Sequence, residues 1–282
     1  MQNAETPPYS IDENNSHQCA LSILLSDNKV AVSIFNIDAN QYVFFKQKFL
    51  PPTESLAQKL SWLISADVLF KRKYQCINIV LKSGANALIP AELFSTETAN
   101  ACAGLNFGEQ PDKILKANYL KENVNVVNLF LEDKTLNQVI AQQMPDARQF
   151  HITTPLIYYA LRKNRGKTEP ELYVELGYQR VWAVLLNKQE LLFCNGFEFD
   201  NEEGLLQQLA NLYKQLNLNP KKTPLILSGS IDSDKDNAHF LNKTFREIHF
   251  ADLPDIFSYT SHLKILLTKE YSTFLHLPLC EL

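Results

Sequence analysis

Four carboxylates in the second half of the chain stand where metal chemistry could use them. Glu175 lies in a strand-like run, Glu202 and Glu203 open an amphipathic segment, and Asp232 follows a short apolar one. Two-metal phosphodiester hydrolysis needs such acids clustered around ions about 4 Å apart. Each acid also has an ordinary use: Glu202 and Glu203 suit the positive end of a helix, and Asp232 suits a turn. Two glycines carry a different signature, Gly177 in Glu175-Leu176-Gly177 and Gly229 in Leu227-Ser228-Gly229-Ser230. Turns that cradle phosphate use glycine because the backbone must approach the anion without a Cβ, often at positive φ. Glycine is otherwise sparing, with no Gly-Gly pair and no Gly-x-Gly. The tight turn before Arg180 makes Gly177 an expected positive-φ position.

Other chemistries fall away. The run from Asp232 to Asn237 begins like a calcium loop, but Asn237 takes the glycine position and Lys243 the position of the bidentate glutamate. The six histidines are scattered with no metal-ligand spacing, and there is neither a Gly-x-Ser-x-Gly elbow nor a P-loop. Five cysteines stand far apart without a Cys-x-x-Cys pair, which reads as free thiols in a reducing compartment. A net charge of -4 gives no general attraction to nucleic acid or anionic lipid. The basic runs Lys71-Arg72-Lys73 and Arg162–Lys167 could meet an acidic partner or RNA, with surface and linker solvation as the default. No basic start followed by an apolar run appears at the N-terminus, and no stretch approaches the roughly 18 apolar residues of a membrane span. A cytoplasmic location is expected.

The elements that must position these residues are legible. At 45% hydrophobic and 21% charged the chain is globular, and its 282 residues suit two subdomains. Residues 171–199 read as three antiparallel strands, Leu172–Leu176, Arg180–Leu186 and Leu191–Phe199. Ala20–Leu25, Lys29–Ile37 and Gln41–Phe49 do the same earlier. Each triplet leads into an amphipathic helix and then a buried strand, Cys76–Leu81 or Leu225–Leu227. Thr53 is the expected N-cap of the first helix, and Asp200 with Glu203 the capping box of the second. The strands are too apolar for a sheet with one wet face, so layers should cover both sides. Residues 84–131 read as an insertion: a loop through Phe94, a weak helix near Thr96–Ala103, then two β-leaning segments, Ile114–Leu120 and 123–131. Thr154-Pro155 should cap a helix through Leu161. A helix near Asp236–Phe245, a strand at Glu247–Phe250 and a terminal helix from Pro254 should close the chain.

Strand triplet, helix, strand, helix, strand, helix, twice over, resembles the actin-like ATPase fold, which is built from two ribonuclease H-like subdomains. The order is similar to the pilus-assembly and secretion members. More closely, the whole chain resembles an uncharacterised bacterial family given this fold. In the ATPases a strand-one Asp-x-Gly turn in each half grips phosphate and metal, and a Gly-Gly turn after strand four of the second half holds adenosine. Here those positions read Leu24-Leu25-Ser26, Glu175-Leu176-Gly177 and Leu227-Ser228-Gly229-Ser230. Glu175, Gly177, Ser228 and Gly229 are therefore vestigial candidates for cofactor binding. Lys29 is a lone charge near the first turn.

The resemblance implies an α/β architecture of two ribonuclease H-like subdomains with mixed five-stranded sheets and degenerate phosphate turns. The expected division is a tail at 1–18, a first subdomain at 19–165 carrying the 84–131 insertion, and a second at 166–282. The expected function is that of a non-catalytic pseudo-ATPase, an interaction or scaffold module that binds another protein and holds no cofactor or metal. A nucleotide-binding ATPase, or a metal-dependent nuclease using Glu175 and Asp232, is the alternative. Oligomeric state is not legible.

Overall fold

The computed structural model describes residues 16–121, 124–230, 239–266 and 269–280. Asp232 and the calcium-loop-like run lie outside the described residues, as does the start of the helix expected near Asp236.

The first sheet begins with a meander, β1 (Cys19–Ser26), β2 (Lys29–Asn36) and β3 (Gln41–Phe49). After helix α1 (Leu56–Ala66) the chain adds β4 (Cys76–Lys82), then β5 (Asn86–Pro90), α2 (Thr96–Phe107), β6 (Lys113–Leu120), β7 (Val126–Asp133) and α3 (Lys134–Gln143). It then returns as β8 (Arg148–His151) and α4 (Thr153–Lys163). The second sheet comprises β9 (Glu171–Leu176), β10 (Arg180–Asn187) and β11 (Glu190–Glu198). Helix α5 (Glu202–Gln215) then leads to β12 (Leu225–Gly229) and β13 (Ile248–Phe250). The chain finishes with β14 (Ser258–Tyr259), α6 (Ser261–Leu266) and α7 (Ser272–Leu275).

The two large sheets share one order. The second runs β11-β10-β9-β12-β13, and the first runs β3-β2-β1-β4-β8 with β14 added beside β3. In both, the meander is antiparallel and the last two strands run parallel to the first. The first sheet therefore has six strands where five were expected, because a segment from the far end of the chain joins its edge. Residues 84–94 are not a loop: β5 pairs with β7, and β7 with β6, in a separate three-stranded sheet.

Every residue of β1 is buried, because both faces are covered. Leu21, Ile23, Val32 and Ile34 pack with α1 and α3 through Leu60, Leu63, Leu136 and Ile140. The opposite face joins a core that crosses between sheets, with Ala20, Leu24 and Phe35 from the first and Tyr173, Trp182 and Ile226 from the second. Helix α4 lies in that core, buried at residues 153–157 and 159–161 and touching β8, β9, β10 and α7. A helix with so little wet surface is held by packing, not by its caps.

Three expected caps are different. Ser55, not Thr53, opens α1 in a capping box with Gln58, and Asn201, not Asp200, caps α5 by accepting from Gly204 N. Thr154 does not cap α4: Thr153 and Thr154 hydroxyls accept from Asn128 Nδ2 at 2.8 and 3.0 Å, tying the three-stranded sheet to the helix. Where a helix was expected near Asp236–Phe245 the described residues give a short turn at Leu241–Lys243; the strand expected at Glu247–Phe250 is β13, and β14 with short helices replaces the expected terminal helix.

Candidate functional site

Strand alternation turns one face of each sheet toward the other. On the first, Ser26 is registered beside Lys82, and Lys29 begins β2. On the second, Glu175 is registered beside Ser228 and opposite Trp182, and Gly229 beside Leu176. The result is a closed polar seam at the strand ends.

Lys82 Nζ forms an ion pair with Glu175 Oε1, and both side chains are almost wholly inaccessible. Glu175 Oε2 is within hydrogen-bonding reach of the Ser228 hydroxyl, which also lies 3.0 Å from Thr273 Oγ1. A second lysine closes the same seam: Lys29 Nζ donates to Ser230 Oγ at 3.0 Å and pairs with Glu270. Its ammonium lies 5.4 Å from the ring centre of Tyr271 and 6.0 Å from that of Phe49. Burial, reinforced by the Lys82 charge and opposed by Glu175, pushes the Lys29 pKa down to about 7. Two lysines and two carboxylates thus partner one another where the sheets meet, the Lys82–Glu175 pair being the drier.

The turns around this cluster are set by close approach. Gly229 has φ +90°, and an added Cβ would lie 2.1 Å from Leu176 O, the carbonyl to which Ser230 N donates at 2.7 Å. Gly177 does not take the expected positive φ. That conformation falls on Gln179 at φ 55°, while Gly177 N closes the turn onto Arg180 O at 2.8 Å. Gly177 is required for another reason, since a Cβ there would stand 2.9 Å from the Trp182 ring. Trp182 in turn donates from Nε1 to Gly84 O at 3.0 Å, linking the second sheet to the loop after β4.

The structure thus brings Glu175, Ser228 and Gly229 together, with Gly177 one residue beyond Leu176. Glu202 and Glu203 stay exposed on α5, and Asp232 lies outside the described residues. Among the described residues no three His, Cys, Asp or Glu side chains group as a metal site. Lys82, Glu270 and Asp27 escaped sequence reasoning. Asp27 sits in the first turn and accepts from Ser83 Oγ at 3.0 Å, with burial raising its pKa. Beneath it Lys59, fully buried, donates to the carbonyls of Asp27 and Glu54. The only signal for Lys82 was its place at the end of an apolar strand.

The family described as "Protein of unknown function (DUF3822)" matches residues 8–248. A crystal structure from Bacteroides thetaiotaomicron VPI-5482, described as a protein with actin-like ATPase fold and unknown function, is 26% identical. The match covers 94% of this chain and 98% of that one, with a TM-score of 0.81. The PilM-PilN type IV pilus biogenesis complex is similar at 11% identity over 92% of this chain and 97% of that chain, with a TM-score of 0.66. No curated protein sequence matches. The fold is that of the actin-like ATPases.

Proposed function

This chain belongs to the DUF3822 family, and on that premise we propose that it is a non-catalytic interaction module, locked shut where ATPases of its fold hold nucleotide. One observation carries the proposal: Lys29 and Lys82 are buried at the meeting of the turns, with Glu270 and Glu175 as their partners. A triphosphate entering there would have to separate both pairs, and releasing Glu175, whose side chain is 2% exposed, costs several kcal/mol (roughly 3–5). Glu175 is committed to Lys82 and Ser228, which leaves it poorly placed to hold a metal ion in either the ATPase or the nuclease alternative. The chain divides, on this view, into a first subdomain at 19–165, with 84–131 inserted, and a second at 166–282. The shared strand order supports that division. The partner is another protein, as in the PilM-PilN complex of the same fold. No helix among the described residues is long and apolar enough to cross a membrane.

Thermal unfolding with and without Mg-ATP tests the proposal. Ligand at a hundred times its dissociation constant would stabilise the chain by about 2.7 kcal/mol, enough to raise the midpoint by about 5 °C in a protein of this size. The expected result is an unmoved midpoint. A reproducible rise that Glu175→Ala abolishes would overturn the proposal and restore the nucleotide-binding alternative.

A further inference from the structure

We propose that the groove between β3 and α1 docks an acidic peptide segment of a partner protein, anchored there by an aliphatic side chain. The inference rests on the interaction-module proposal but concerns a different surface from the seam.

The groove follows from strand register. Val32 pairs with Lys46 and Val30 with Lys48, so two valines and two lysines share one face. Helix α1 crosses that face, and Trp62 and Leu63 complete a cavity of about 310 Å³. Val30 and Leu63 are buried and make an apolar floor, whereas Trp62 is 37% exposed at the rim. The Lys48 ammonium lies 3.8 Å from the centre of the Trp62 ring.

Charge selects the occupant. The groove's acid, Asp67, is already paired with Lys46, whose Nζ also lies 5.7 Å from the centre of the Phe70 ring. Among the described residues Lys48 has no carboxylate partner, only the face of Trp62. Lys71 and Lys73 follow Phe70 on the exposed surface. In a chain of net charge -4 this is a local excess of positive charge. A carboxylate meeting Lys48 gains a charge-assisted hydrogen bond, and an adjacent aliphatic side chain buries against the valine floor. A polynucleotide fits less well, because its backbone has no aliphatic side chain to set against the apolar floor.

Trp62 reports directly on the groove, because Trp182, the second tryptophan, is fully buried. The experiment titrates the intact chain with a peptide of alternating leucine and glutamate, and with its lysine counterpart, following Trp62 fluorescence and calorimetric heat. The expected result is saturable binding of the glutamate peptide, weakened about tenfold or more by Lys48→Glu and by added salt, with no binding of the lysine peptide. Lys48→Glu should unfold at the wild-type midpoint, and Trp62→Phe should lose the optical signal while keeping the heat. Equal binding of both peptides, or none, overturns the proposal. So does preferential binding of single-stranded RNA, or a concentration-dependent dimer, that Lys48→Glu abolishes. Failure here leaves the Mg-ATP midpoint as an independent test of the locked seam.

Discussion

Lys82 on β4 and Glu175 on β9 form an ion pair between the two sheets, with side chains only 1% and 2% exposed. In a pair so dry, desolvation offsets most of the attraction, whereas breaking it strands a charge.

Glu175→Ala should therefore lower unfolding stability by roughly 3–5 kcal/mol. The double replacement Lys82→Met with Glu175→Leu should recover most of that loss. Urea denaturation of the three variants measures both steps. A cost below about 1 kcal/mol for the single variant would show that the pair does not hold the seam.

The two glycine turns should respond differently to alanine. At Gly229 the obstruction is a backbone carbonyl at 2.1 Å combined with positive φ, and neither can relax while Ser230 N holds Leu176 O. Gly229→Ala should cost about 3 kcal/mol or more. At Gly177 the nearest obstruction is the buried Trp182 side chain at 2.9 Å and φ is not positive, so a smaller cost of about 1–2 kcal/mol is expected. Chemical denaturation gives the order, and equal costs would refute the steric account.

Two buried titratable groups should tilt the pH profile in opposite directions. Burial pushes the His151 pKa from 6.5 down to about 3, and its Nδ1 lies 2.7 Å from Thr153 Oγ1. The unfolded chain binds that proton first, so stability present above pH 6.5 is lost as pH falls toward 3. Glu132 is the reverse case: both carboxylate oxygens are buried without a hydrogen-bond partner, and burial raises its pKa from 4.5 to about 7 despite Lys116. The folded state keeps a proton that the unfolded chain gives up, so stability falls as pH rises from 4.5 to 7. Glu132→Gln should raise the midpoint at pH 8 and leave it unchanged at pH 4. His151→Gln should flatten the acid limb. Midpoints measured from pH 4 to 8 check both signs.

Much of the fold was legible because hydrophobic alternation and turn residues mark a meander, and both meanders lie where period and turns place them. The strand β5 was missed because Pro90 and a lone Gly84 read as loop punctuation, although the pairing of Asn86 with Phe130 sets the strand. Caps shifted by one or two residues because several Ser, Thr, Asp and Asn side chains competed for each helix start. The seam was half legible. Glu175, Ser228 and Gly229 stood out by position, but Lys29 and Lys82 carry the residue type least often buried. Only tertiary structure shows that opposite charges from residues 93 and 241 positions away meet them.

Strand β14 pairs in parallel with the start of β3, setting Ser258 beside Gln41 and Tyr259 beside Tyr42. During synthesis, Gln41 and Tyr42 leave the ribosome more than two hundred residues before their partners exist. For that interval, about 10–40 s at 5–20 residues per second, the nascent meander carries a raw β edge able to pair with neighbouring chains. This later-made segment covers the start of that edge, so removing Ser258 and Tyr259 from the chain should show its harm first as co-translational aggregation.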